Sequence, residues 1–144
     1  MIRVMTVLLA FSIVSPAGAG ITSYADVKAN GGVPLSAAEL GELLPGAKVI
    51  SWTQAGSRRT WQNKPDGSLA ASTDGRGVTG GKNAYATAGG SWRVTDNGRW
   101  CVTINWPDPY HEDWCRLMFK VGGRYYGVGK PEDGAPASEF EIGK

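Results

Sequence analysis

Reactive side chains are scarce in this sequence. It holds one histidine, His111, and two cysteines, Cys101 and Cys115. With no second histidine, no H-E-x-x-H and no G-x-S-x-G, it lacks the usual parts of a metalloprotease or a serine hydrolase. The cysteines are not spaced C-x-x-C and no histidine cluster accompanies them, which argues against a thiol redox centre or a zinc site. No cofactor is implied. Gly80-Gly81-Lys82 has the flavour of a phosphate loop, but Arg76 stands where the first glycine belongs and Asn83 replaces the Ser/Thr that would hold magnesium. Charge of one sign is missing as well: beyond Arg3, fourteen basic side chains face thirteen acidic ones. Such a balance offers no basic field for nucleic acid or an anionic membrane. Long apolar runs are also absent, since the longest, residues 4–14, is roughly half of the ~20 residues needed to span a bilayer.

That run has another reading. Arg3, the short apolar stretch and Ala17-Gly18-Ala19 have the order of a secretory signal, so residues 1–19 are expected to be removed and the mature chain to start at Gly20. The expected location is the periplasm or the cell exterior, with no membrane insertion after cleavage. In an oxidising compartment Cys101 and Cys115 are expected to pair. The loop they close, about 15 residues, is worth roughly 3 kcal/mol by loop-closure entropy. About 125 residues remain after cleavage, enough for one domain with one core.

What is present is concentrated in residues 91–121, which hold both cysteines, His111 and four of the six tryptophans. Trp100, Val102, Ile104 and Trp106 alternate with Cys101, Thr103 and Asn105, the period of a strand with one buried face. Trp92 and Val94 precede it across Asp96-Asn97-Gly98, a hairpin turn. Leu117, Phe119 and Val121 continue an apolar face from Cys115, and Gly122-Gly123 leads into Tyr125-Tyr126. The two tyrosines point to opposite faces, so at most one is expected in the core. A hairpin with Cys101 facing Cys115 has its midpoint at Asp108, between Pro107 and Pro109, which suit a turn. Cys101 then lies on the polar side of its strand and Cys115 on the apolar side of its own. A one-residue bulge near Trp100 or Arg116 is therefore predicted.

Elsewhere, residues 20–34 read as a flexible arm: Ser23-x-x-Asp26 can cap a brief helix, but apolar character is slight. Leu35-Ser36-Ala37-Ala38-Glu39-Leu40 carries a stronger capping box and staple, predicting a helix over 37–44 that closes one end of a barrel. Strands follow at 49–53, 59–63, 68–72 and 85–92, with Gly89-Gly90 marking a bulge or corner, and a last one lies at 138–142. The predicted fold is mainly β, a small antiparallel meander barrel of about eight strands with one short N-terminal helix. Its domain spans residues 35–144, and the tryptophans fill its interior.

The order of these features resembles a family of uncharacterised small secreted bacterial proteins. The resemblance rests on residues 35–40, Trp52 and Trp61, Pro65-Asp66-Gly67, Gly90-Ser91-Trp92, Cys101 with Cys115, and Tyr125-Tyr126. It implies a lipocalin-like barrel with one disulfide and brings no activity with it. Gly90-Ser91-Trp92 also looks like the G-x-W of lipocalins, although there it opens the first strand. Secreted barrel inhibitors of bacterial metalloproteases are similar in size, export and single disulfide.

The one loop rich in reactive groups is Asp108-Pro109-Tyr110-His111-Glu112-Asp113, flanked by Trp106 and Trp114. Trp106, Tyr110, His111 and Trp114 are the candidate binding residues, since tryptophan and tyrosine are enriched at interface hot spots. The expected function is non-enzymatic binding of a protein or a small ligand, at this tip or at the barrel mouth, by a monomer or weak dimer. A small periplasmic hydrolase using His111 with Asp108, Glu112 or Asp113 is the alternative, and inhibition of a secreted enzyme is another.

Overall fold

The computed structural model describes residues 20–52, 56–74, 86–107 and 111–144. Residues 1–19, where a signal is expected, Tyr110 and Asp108 lie outside the described residues. Two helices, α1 (Tyr24–Ala29) and α2 (Ala37–Leu43), flank a two-residue strand β1 (Val33–Pro34). Eight strands then run in meander order: β2 (Lys48–Trp52), β3 (Arg58–Asn63), β4 (Ser68–Thr73), β5 (Ala86–Val94), β6 (Arg99–Ile104), β7 (Glu112–Val121), β8 (Arg124–Val128) and β9 (Ala137–Gly143). Each pairs antiparallel with its neighbour, and β9 pairs back onto β2, closing the barrel. Closure leaves none of the eight with a bare edge.

Period-two alternation sends Val49, Trp61, Leu69, Ala71, Trp100, Val102, Ile104, Met118 and Phe140 inward, where they form the main core. At its centre the rings of Trp61, Trp100, Trp114 and Phe140 pack on one another with centroids 5.3 to 6.4 Å apart. The interior is plugged by aromatic rings. Helix α2 starts where expected, with the Glu39 amide donating to Ser36 Oγ at 3.1 Å. Its Leu40 and Leu44 join the main core, and Asn63 Nδ2 donates to the Leu44 carbonyl. It therefore seals the end of the barrel where β3 and β5 finish and β6 begins.

Several expectations are corrected, the single helix among them, since α1 precedes α2. Residues 20–34 are not a loose arm: Ser23 and Asp26 cap α1 reciprocally, and β1 pairs with Phe119 and Lys120 of β7. Helix α1 lies on the outer wall, where Val27, Ile21 and Tyr24 bury Phe119, Tyr126 and Val128 in a second, smaller core. That cover also explains why no bulge is needed. Cys101 faces Cys115 directly, and the register from Arg99↔Leu117 to Ile104↔Glu112 is continuous. The apolar series Leu117, Phe119, Val121 belongs to the outer face, under α1 and β1, while Glu112, Trp114, Arg116 and Met118 point into the barrel. Both cysteines are thus on the outside, bonded to each other. Tyr125 and Tyr126 do take opposite faces, yet each packs in a core, one within and one without.

Gly89 and Gly90 carry no bulge, since β5 keeps register with β4 and β6 throughout. Gly90 instead permits close approach: a Cβ there would collide with the Thr103 carbonyl oxygen of β6.

Candidate functional site

The end of the barrel opposite α2 is formed where β2, β4, β6 and β8 finish and β3, β5, β7 and β9 begin. On β7, inward alternation presents Glu112 first, then Trp114 and Arg116. On β3 it presents Arg59, whose cross-strand neighbours are Ser51 and Thr73. Strands β3 and β7 are four apart either way round, so these side chains meet across the lumen.

Their meeting is ionic. Arg59 Nη1 donates to Glu112 Oε1, with the side chains only 12 % and 16 % exposed. Arg59 Nη2 donates to Ser51 Oγ at 3.1 Å. The same carboxylate accepts from Trp106 Nε1 at 3.0 Å and from Trp114 Nε1 at 3.3 Å. Bonds from three donors fix the position of the Glu112 carboxylate. The candidate binding residues are accounted for in part by this arrangement. Trp106 is buried and Trp114 half-buried, both with indoles turned to Glu112, whereas His111 is exposed outside the strand. The structure brings two of the four together, inside the wall.

Arg116 has a different setting. Its guanidinium lies 4.6 Å from the Trp114 ring centre and 5.6 Å from that of Phe140, a cation–π stack. Among the described residues no hydrogen bond or ion pair is made to it. Burial, and secondarily the Arg59 charge, lower its pKa from the ordinary guanidinium value to about 10, with Glu112 opposing. It is a cation at neutral pH, unwillingly. The three inward charges, two positive and one negative, leave a net positive rim.

A recess of about 520 Å³ opens onto this rim, bordered by Arg59, Arg116, Ser138, Trp52, Ile21 and Ala137 among others. A groove of about 460 Å³ on the outer wall, at Ile50 and Ile142, has Lys48, Lys144 and Glu141 around it but no inward-facing charge. Converging polar groups beside apolar surface distinguish a binding recess from an ordinary furrow, and of these two the recess at the rim has them. Arg59 and Arg116 were invisible to sequence reasoning because a charged residue on a strand reads as its solvent face. The signal that could have found Arg116 was its alternation with Trp114 and Met118.

Residues 8–113 match a family of proteins of unknown function, DUF995. The chain belongs to the DUF995 family. No curated protein and no solved structure matches it. The DUF995 match covers Arg59, the aromatic residues Trp61, Trp100 and Trp106, and Glu112, while Arg116 lies just past its end.

Proposed function

We propose that this DUF995 protein is an exported, non-enzymatic binding barrel that takes a small ligand at its open rim. The observation that carries the reading is the plug: with Trp61, Trp100, Trp114 and Phe140 packed together, a ligand's place is the Arg59–Arg116 recess at the end away from α2. Export is supported by the Cys101–Cys115 bond, which persists in oxidising compartments. No helix among the described residues is long and apolar enough to cross a membrane. A binding role is favoured over hydrolysis because Glu112, the carboxylate nearest His111 in sequence, is bonded to Arg59, Trp106 and Trp114 and has no lone role as a base.

The test compares the wild type with Ser138→Trp, whose added indole fills the recess, in thermal unfolding with small-molecule extract of a bacterial periplasm. A ligand that binds only the folded state raises Tm. The rise is expected in the wild type and not in Ser138→Trp. Equal rises in both would place binding elsewhere and overturn the reading.

A further inference from the structure

Resting on that rim reading, we infer that the ligand is a small amphipathic oxyanion, a carboxylate or phosphate head on a short apolar body, and that Arg116 receives the head. The two arginines at the rim differ in employment. Arg59 is committed: one arm of its fork holds Glu112 and another holds Ser51. Arg116 has its guanidinium against the Trp114 and Phe140 rings, borders the recess, and bonds no carboxylate among the described residues. A guanidinium held beside aromatic rings and bonded to no carboxylate is available for bidentate capture of an oxyanion. Glu112 satisfies only one of the two cations. The rim therefore carries one uncompensated positive charge in a part-buried setting, where an incoming anion gains more than it would in water.

The rest of the border fits an apolar body. Trp52 is an exposed large aromatic at the end of β2, and Ile21, Pro136 and Ala137 continue that surface. Ser138, inward on β9, adds a hydroxyl beside the arginines. One carboxylate, Glu139, also borders the recess, but it is paired with Arg124 on the outer wall.

Octanoate, octyl phosphate and octanol are titrated calorimetrically into the purified, disulfide-intact protein. Both anions are expected to bind at least about tenfold more tightly than octanol, the difference one charge-assisted contact supplies. The tighter of the two tells carboxylate from phosphate. In Arg116→Gln the anions should fall to the level of octanol, whose own affinity stays unchanged, and Arg116→Lys should recover part of the loss. Inorganic sulfate is expected to displace octanoate, but not octanol, from the wild type, a readout that does not depend on any variant folding. Octanol binding as tightly as octanoate, or sulfate failing to compete, would overturn the head-group assignment. If in addition the periplasmic ligand is still excluded by Ser138→Trp, the rim stands and only the ligand class falls. Absence of binding by all three amphiphiles together with equal Tm rises in Ser138→Trp would remove both.

Discussion

Arg59 and Arg116 sit at one rim, carry the same charge and should respond oppositely to removal. Arg59→Met leaves Glu112 in the barrel with two indole donors and no counter-ion, and breaking one side of a buried pair costs about 3–5 kcal/mol. Arg116→Met removes a cation that burial disfavours and replaces it with a side chain that packs on the same rings. Its lowered pKa means that the folded state binds the proton less readily than the unfolded one. Stability is therefore penalised at every pH below about 10 and recovers only as pH rises from there toward the higher, ordinary guanidinium value of the unfolded chain. At neutral pH, urea unfolding should show Arg116→Met equal to the wild type or more stable by about 1 kcal/mol, against a clear loss for Arg59→Met. Equal losses in both would mean that Arg116 is a structural ion and not a group held in reserve.

Among the elements, β7 has the most to reconcile, because its two faces serve two cores. Its sequence placed the strand, the hairpin and the disulfide partner correctly. The face was misread because Leu117, Phe119 and Val121 are more apolar than the inward series Glu112, Trp114, Arg116, and nothing local announces that α1 will cover the outer wall. That cover comes from a segment about ninety residues away in the chain, whose brief helix is held by its cap: Asp26 accepts from the Thr22 and Ser23 amides, which hold its carboxyl below the ordinary value. Short helices of this kind depend on tertiary packing more than on propensity. The disulfide acts on the same strand, joining β6 to β7 from outside. Cys101→Ser with Cys115→Ser should lower unfolding stability by about 3 kcal/mol, with the near-ultraviolet circular dichroism of the inner tryptophans unchanged, since no interior contact is made by the bridge. Loss of that signal would show that the bridge sets the fold of the hairpin and not only its entropy.

For the whole molecule, the meander barrel was legible because every strand is short, patterned and separated by turn chemistry such as Lys64-Pro65-Asp66-Gly67, where Gly67 takes a φ of 88° and its amide donates to the Lys64 carbonyl. The filling by Trp61, Trp92 and Trp100 was legible for the same reason, whereas Trp52, expected in the core with them, is exposed at the end of β2. What could not be read was which side chains meet across the lumen: Arg59 and Glu112 are 53 positions apart, and their pairing follows from strand number and closure, not from any local pattern. The plug makes its own prediction. Phe140 touches Trp61, Trp100 and Trp114, so Phe140→Ala should cost about 4 kcal/mol in thermal or urea unfolding and loosen the packing of all three indoles, measured by their fluorescence. A loss below about 1 kcal/mol would indicate that the lumen collapses readily around the missing ring.

The bond between Arg59 and Glu112 runs across the barrel like a spoke, and the packed indoles lie behind it like a stopper in a bottle. On the proposed reading, traffic through such a vessel is single-ended: a ligand leaves by the door it used, and one too long for the vestibule keeps its tail in solvent.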